Sequence, residues 1–485
     1  MALVSLDFIG IDAALIAAHA GRLVAFADET LDPEARRIDR LTRGALTRAL
    51  ASQAWSEVKP GEALDLAFPA GLAATALVLV RLPLRADAAV ARKAGATIAR
   101  GLSSQGALIA ARSVRRLSAL VEGIALRAYD WSMRADKPKP PGAVHLMCAE
   151  PEAARTACAP LIARAGAVHV TRDLVNEPAN VLTTVEFARR LETLRDLGLE
   201  VEILEEPALE ALGMRALLGV GQGSETPTKV AVIQWKGAEG APLALVGKGV
   251  VFDTGGISIK PAAGMEEMVM DMGGAAVVAG VMQTLAQRKA RAHVVGLVGL
   301  VENMPDGRAQ RPGDVVVSMK GDTIEVINTD AEGRLLLADV MWYAQERFNP
   351  CAMIDLATLT GAIIVSLGFE KAGVFANDDA LCEALLSACA TEGEGAWRMP
   401  LDPAYEPLIK SRVADMKNTG GRYGGAISAA QFLQRFVKKG LPWVHLDIAG
   451  VALPATDTLL APKGPTGWGV RALDTLIAQR FESRG

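Results

Sequence analysis

A short apolar run that opens into a glycine-rich, charged loop constrains this chain more than any other feature. The run Leu243–Val246 is bounded by Pro242 and Gly247, and it has the length and composition of a buried strand. The following stretch, Gly247–Asp271, reads GKGVVFDTGGISIKPAAGMEEMVMD. In an open α/β sheet, ligands bind at the carboxyl ends of the strands. The sequence therefore predicts a ligand site where this strand ends.

A second charged segment, Asn328–Leu335, follows the strand-like Thr323–Ile327 and reads NTDAEGRL. If both segments face one pocket, these charged side chains meet there: Lys248, Asp253, Lys260, Asp271, Asp330, Glu332 and Arg334. Carboxylates crowded in this way cannot all remain ionised unless they bind cations. Hard oxygen ligands without a histidine cluster suit Zn, Mn or Mg. Beside two cations, Lys248 could lose its proton and bind a metal as the neutral amine.

The segments Gly247–Gly274 and Asn328–Leu335 resemble the two signature regions of the leucyl aminopeptidases, also called cytosol aminopeptidases. The resemblance continues in the strings NEPAN, TLTG, MKNTGG and DIAG, which begin at Asn176, Thr358, Met416 and Asp447. It covers about the C-terminal two-thirds of the chain and is weak over roughly the first 150 residues.

The resemblance implies two α/β domains. A smaller N-terminal domain with a mixed sheet would span residues 1–150, and a linking helix residues 151–175. A larger α/β/α catalytic domain with a mostly parallel sheet would span residues 176–485. Strands interleaved with helices along the chain support this fold class. The helical patterns include single helices near Arg37–Trp55 and Tyr405–Met416.

The resemblance also implies a function, a metal-dependent aminopeptidase that releases Leu-like or Met-like residues from peptides with a free N-terminal amine. Two divalent ions, Mn or Zn, would share a hydroxide that attacks the peptide bond. Lys260 would polarise the scissile carbonyl, and Arg334 would hold a bicarbonate that acts as the base. The implied metal ligands are Lys248, Asp253, Asp271, Asp330 and Glu332, and the implied substrate pocket is Met268, Thr358, Leu359, Gly361 and Ala449. A homohexamer is the implied assembly.

Other chemistries lack their signatures in this sequence. The five histidines are scattered and form no HExxH pair, and no GxSxG nucleophile motif occurs. The five cysteines show no CxxC pairing, which is typical of reduced thiols in a cytoplasmic protein. The N-terminus has no basic segment, and no apolar run reaches the roughly 18 residues that cross a bilayer. We therefore expect a cytoplasmic protein with no membrane partner.

Two alternatives remain open at this stage. Two-metal phosphoester hydrolysis would use similar carboxylates, although it more often employs histidine ligands and several phosphate-binding cations. A DNA-associated accessory factor with secondary peptidase activity is the other. The chain has a net charge of −4, but its first 150 residues hold 19 Lys and Arg against 15 Asp and Glu. The candidate DNA contacts are Arg115, Arg116, Lys137 and Lys139.

Overall fold

The structure, a computed structural model, describes residues 3–136 and 139–483. These residues form two compact units. The smaller unit contains the chain up to His169 together with the segment Thr456–Lys463, and the larger contains Val170–Ala455 and the chain from Gly464 onward. The boundary at residue 169 lies inside a long helix, Pro151–Asn176, where the sequence predicts the linking helix. The candidate DNA contact Lys137 lies outside the described residues.

The smaller unit is built on a six-stranded sheet. Its strands are β1 (Leu6–Ile9), β2 (Arg22–Ala27), β3 (Ala63–Ala67), β4 (Ala76–Arg81), β5 (Ala107–Ala110) and β6 (Val144–Met147). Its helices are α1 (Ala13–Ala18), α2 (Pro33–Leu41), α3 (Ala45–Leu50), α4 (Gln53–Glu57), α5 (Ala88–Arg100), α6 (Leu117–Arg127) and the first part of α7 (Pro151–Asn176). The strand order is β1-β6-β5-β2-β4-β3, and every pair is parallel except β3 with β4.

The larger unit contains an eight-stranded sheet and a separate three-stranded sheet. Its strands are β7 (Glu200–Glu205), β8 (Lys229–Lys236), β9 (Leu243–Asp253), β10 (His293–Asn303), β11 (Val315–Val317), β12 (Thr323–Glu325), β13 (Ala352–Ala357), β14 (Ala372–Ala376), β15 (Ala396–Arg398), β16 (Met416–Lys417) and β17 (Trp443–Asp447). Its α-helices are α8 (Thr184–Glu192), α9 (Glu206–Ala211), α10 (Arg215–Gly221), α11 (Gly273–Gln287), α12 (Gly333–Phe348), α13 (Gly361–Leu367), α14 (Asp379–Glu392), α15 (Gly425–Gln434), α16 (Ala449–Ala452) and α17 (Val470–Arg480). Short 3₁₀ turns occupy Thr193–Leu197, Met265–Met272 and Pro403–Ile409.

The large sheet has the order β15-β14-β17-β13-β9-β10-β8-β7. Its four central strands, β17, β13, β9 and β10, are mutually parallel, and antiparallel pairs lie towards both ends. Helices cover both faces. A Cβ at Gly296 would meet Val278 of α11, whereas one at Gly299 would meet Leu336 of α12. Residues three apart on a strand point to opposite faces, so α11 and α12 lie on opposite sides of the sheet. The predicted α/β class in two domains is confirmed.

Two predicted helices are wrong in detail. The segment Arg37–Trp55 is divided among α2, α3 and α4. Arg43 and Gly44 adopt positive φ angles of 52° and 81°, which end α2, and the Ser52 side chain caps α4. The predicted helix Tyr405–Met416 is instead a 3₁₀ turn, Pro403–Ile409, followed by a bend and β16. Pro407 would be the third residue of that helix, and a proline disfavours the α conformation of the residue before it, here Glu406.

One helical stretch, Met265–Gln287, has the length and apolar composition of a membrane span, which the sequence analysis did not expect. Its most apolar window has a mean hydropathy of 1.4, and 78% of that window is buried within the protein. It contains α11, whose residues pack against β9 and β10. The stretch therefore occupies the position of a core helix in the larger unit.

Candidate active site

The ends of the four parallel strands bring the polar residues of the larger unit together. Parallel strands share one carboxyl edge, and there β9 ends at Asp253, β10 at Asn303 and β17 at Asp447. Strand β13 ends at Ala357, so Thr358 follows at the same edge. The site is thus assembled from connections that leave four neighbouring strands.

A cavity of about 460 Å³ opens at this edge. All twelve residues that the sequence proposes for the site line it: Lys248, Asp253, Lys260, Met268, Asp271, Asp330, Glu332, Arg334, Thr358, Leu359, Gly361 and Ala449. The lining includes no histidine or cysteine among the described residues. It also includes Asn328, Thr419 and Arg422, for which the sequence analysis proposed no role.

Lys248 lies in the middle of β9 and is almost completely buried. Its Nζ is 2.7 Å from Asp271 Oδ1, 2.8 Å from Glu332 Oε1 and 3.0 Å from the Thr358 carbonyl oxygen. Burial lowers the pKa of Lys248, but the three neighbouring carboxylates raise it further, so the net pKa lies above its usual value. Without metal ions the amine is therefore an ammonium, and cations would have to outweigh the carboxylates before it could bind metal.

Gly333 at the start of α12 is required for this arrangement. A Cβ there would lie 2.6 Å from Lys248 Cε and 2.8 Å from Nζ. A larger residue would displace the end of the Lys248 side chain from the position in which it contacts Asp271 and Glu332. The presence of glycine at this position of the NTDAEGRL string is thus explained by the space that the Lys248 side chain needs.

Lys260 and two aspartates form the more accessible half of the site. The Lys260 Nζ donates to Asp253 Oδ2 at 2.6 Å and also to Asp330 Oδ1. The lysine side chain is 18% exposed, so it can reach the cavity. Burial and the nearby Glu332 raise the pKa of Asp253 to about 6, against the opposing effect of the lysines. Burial also raises the pKa of Asp330.

The donor set fits divalent cations. One ligand oxygen each from Asp253, Asp330 and Glu332 can lie within 4.8 Å of the others. Asp271 is not in that trio, but its Oδ2 is buried without a hydrogen-bond partner, while Oδ1 accepts from Lys248 and from the Thr358 hydroxyl. A buried carboxylate oxygen with no partner is costly unless a ligand satisfies it. The residues present therefore match an oxygen-liganded metal centre.

Two asparagines for which the sequence predicts no role fix the carboxylates of the cavity in place. Asn303 Nδ2 donates to Asp253 Oδ1 at 2.8 Å and to the Thr329 carbonyl at 3.1 Å. Asn418 is fully buried, and its amide closes the loop before α12. Its Nδ2 donates to the Asn328 carbonyl at 2.6 Å, and its Oδ1 accepts from the Ile327 N–H at 2.8 Å. The pairing of β12 with β16 brings Asn418 to this loop.

Arg334 depends on the same asparagine. Its Nη1 donates to the Asn418 carbonyl oxygen at 2.9 Å, while its Nε is buried without a partner. Burial lowers the pKa of Arg334 to about 10, which leaves it charged at neutral pH. A charged guanidinium with an unused N–H in a polar cavity is suited to a small oxyanion.

If the cavity binds metal as the sequence predicts, Asn418→Ala should lower turnover by about 10- to 100-fold, the usual loss when a residue that orients metal ligands is removed. The Asn328–Glu332 loop would lose the amide that fixes it. Because the ligands remain present, the variant should recover part of its activity at higher metal concentration, which a metal titration of kcat would measure. Asn377→Ala is the matched control, because Asn377 makes similar backbone hydrogen bonds to Leu441 and Trp443 away from the cavity. Equal losses in both variants would contradict the positioning role.

Comparison with known proteins gives a consistent result. A sequence model described as the cytosol aminopeptidase family, catalytic domain, matches residues 169–474. A protein of Cereibacter sphaeroides named "probable cytosol aminopeptidase" is 63% identical over 484 residues, covering 99% of each chain. A protein of the same name from Dinoroseobacter shibae is 60% identical with the same coverage.

Solved structures resemble the whole chain. A tomato leucine aminopeptidase variant matches with a TM-score of 0.85 at 30% identity, covering 98% of this chain and 97% of its own. The bottromycin maturation enzyme BotP in complex with Mn matches with a TM-score of 0.81 at 33% identity, covering 96% and 99%. The similarity therefore includes both units of the chain.

Proposed function

This chain belongs to the cytosol aminopeptidase family and is an aminopeptidase, and we propose that it releases Leu-like or Met-like residues with the help of two divalent ions. The observation that carries the proposal is the convergence of four carboxylates and two lysines on one cavity. The proposed metal ligands are Lys248, Asp253, Asp271, Asp330 and Glu332. We propose Mn or Zn, in keeping with the Mn complex of the similar enzyme BotP. Divalent ions held by these residues would lower the pKa of a nearby water towards neutrality and would polarise the peptide carbonyl.

Lys260 is proposed as the donor that stabilises the oxyanion. An ammonium has three protons, and Asp253 and Asp330 accept two of them, so one remains for the scissile carbonyl. Lys248 cannot take this role, because Asp271, Glu332 and the Thr358 carbonyl already surround its Nζ. The two lysines thus have separate functions, one within the ligand set and one facing substrate.

Arg334 is proposed to hold a bicarbonate that accepts the proton of the attacking water. Two features support this. Its Nε has no partner, and the described lining contains no histidine that could act as a base. Asn418 fixes the orientation of the guanidinium through its carbonyl oxygen.

The substrate side chain is proposed to lie against Met268, Thr358, Leu359, Gly361 and Ala449. Met270 and Ile364 add further apolar surface to the same cavity. Asp447 fixes the loop that carries three of these residues, since its carboxylate accepts from the Leu359 N–H at 3.1 Å and the Thr360 hydroxyl at 2.7 Å. An apolar pocket held by a buried carboxylate suits Leu-like and Met-like residues.

The proposal predicts metal-dependent hydrolysis of leucine p-nitroanilide. A chelator should abolish turnover, and Mn or Zn should restore it, because without metal ions Lys248 and Lys260 only neutralise the carboxylates and no group activates the water. N-acetyl-leucine p-nitroanilide should not be cleaved, since its blocked amine cannot bind metal. Release of nitrophenol from bis-(p-nitrophenyl) phosphate with no cleavage of the leucine substrate would instead favour phosphoester hydrolysis.

We further propose that the protein is cytoplasmic and forms a homohexamer. The mass of the protein in solution would test the hexamer.

A further inference from the structure

A second cavity, of about 380 Å³, lies in the smaller unit and has no part in the peptidase site. Its walls follow three strands that are parallel to one another, β2, β4 and β5. They are formed by residues 26–36 at and after the end of β2, by residues 82–91 after β4 and by residues 113–116 after β5. The cavity therefore lies at the carboxyl edge of this sheet.

The strand order makes this edge a crevice. Strands β2 and β5 are neighbours, but the chain leaves them in opposite directions across the sheet. After β2 it proceeds to β3 and β4 on one side, and after β5 it proceeds to β6 on the other. Such a switch point separates the two connections and opens the space in which doubly wound sheets bind ligands.

Three arginines at the cavity have no ionic partners. Arg36, Arg115 and Arg116 line it and are exposed. In residues 3–136 and 139–483, none of their guanidinium groups forms an ion pair or a side-chain hydrogen bond. Helix α6 begins directly after Arg116 without a side-chain cap, so its first N–H groups add to the positive potential.

The acidic residues at the cavity are mostly occupied. Asp28 pairs with Arg81 at 3.4 Å. Asp32 caps α2 by accepting from the Ala35 N–H at 2.6 Å, and it also accepts from the Ser113 hydroxyl. The Asp32–Ser113 hydrogen bond joins the loops after β2 and β5 and so fixes two walls of the cavity. Glu29 alone among the lining acids has no partner in the described chain, against three unpaired arginines.

We propose that this cavity binds a phosphate-bearing small molecule. A guanidinium can donate two parallel hydrogen bonds to two oxygens of a phosphate. The three positive charges of the arginines suit a dianionic phosphate group better than they suit a carboxylate with one negative charge. Phe26, Leu31, Leu82 and Val114 provide an apolar wall for the rest of the ligand. The volume lies within the range of about 300–1,000 Å³ that is usual for small-molecule sites. This inference is independent of the peptidase site.

Calorimetric titration of the full-length protein with AMP, inorganic phosphate and adenosine tests the proposal. AMP should bind once per chain, and adenosine should bind at least about tenfold more weakly, since it lacks the charged hydrogen bonds. Arg36→Glu should weaken AMP binding by about tenfold or more. Arg37→Glu is the matched control, because Arg37 is the adjacent exposed arginine on α2 but does not line the cavity. Peptidase activity should be unchanged in both variants.

Arg116→Glu provides a second variant from another wall, and a thermal melt verifies that each variant is folded. Absence of AMP and phosphate binding to the wild-type protein at millimolar concentration would overturn the proposal. So would equal losses in Arg36→Glu and Arg37→Glu. Salt-dependent binding of a DNA duplex that all three substitutions weaken alike, without AMP binding, would replace the cavity with a general DNA-binding surface.

Discussion

Glu332→Gln is expected to reduce peptidase turnover to background. Glu332 is buried, contacts Lys248 and belongs to the trio of carboxylates whose ligand oxygens lie within 4.8 Å of one another. The glutamine side-chain amide is uncharged and binds divalent ions poorly, but its oxygen can still accept a hydrogen bond from Lys248 Nζ. The substitution therefore removes metal affinity while it preserves the packing around the lysine. Bound metal, measured by elemental analysis, should fall from two ions per chain to one or none.

The control residue, Glu346, lies on α12, the helix that begins directly after Glu332. Glu346→Ala removes an exposed glutamate of α12 that pairs with Lys438 at 2.9 Å, and it should leave turnover and metal content unchanged. Thermal melts of both variants would show whether the fold persists. Full turnover in a folded Glu332→Gln protein that still binds two ions would reject the proposed ligand set.

Lys260→Ala is expected to reduce kcat by about 10²- to 10³-fold, which corresponds to an increase of about 3–4 kcal/mol in the activation barrier. The oxyanion that forms in the transition state would lose its ammonium donor. Metal content should be retained, because the substitution removes a positive charge that competes with cations for Asp253 and Asp330. Glu332→Gln and Lys260→Ala should therefore both lose activity, but only Glu332→Gln should lose bound metal.

Lys236→Ala serves as the comparison for Lys260→Ala. Lys236 pairs with Glu200 at 2.7 Å on the surface of the larger unit, and its loss should have no effect on kcat. A Lys260→Ala enzyme with a raised KM and an unchanged kcat would mean that the lysine only binds substrate, and the proposed role in the transition state would be wrong.

The charged residues of the site were predictable because they lie close together in sequence. Lys248, Asp253 and Lys260 belong to one strand and the loop after it, and Asp330 and Glu332 precede one helix. Because both segments follow the ends of predicted strands, the sequence indicates that they share a pocket. The structure places these residues around one cavity. The resemblance to a known family supplied their individual roles, which the spacing alone left open.

The supporting residues were not predictable in the same way. Asn303 and Asn418 act through hydrogen bonds to segments 50 and 90 residues distant in sequence. Neighbouring residues do not reveal such a remote partner, although Asn418 lies within the string MKNTGG that belongs to the family resemblance. Asn303 does end a strand, β10, which is the one signal that could have identified it. The wrong helices at Arg37–Trp55 and Tyr405–Met416 have a local cause, because the helical periodicity of each segment continues across a break, at Gly44 in the first and at Pro407 in the second.

The return of Thr456–Lys463 to the smaller unit affects how that unit can be isolated. Arg127 pairs there with Asp457, and Arg100 donates to the Thr458 carbonyl at 3.2 Å. A truncated fragment that stops at His169 would lack both partners, and Arg127, whose side chain is 11% exposed in the full chain, would lose its counterion. Dissection of this protein would therefore need the eight-residue piece supplied as a peptide or joined to the fragment through a linker.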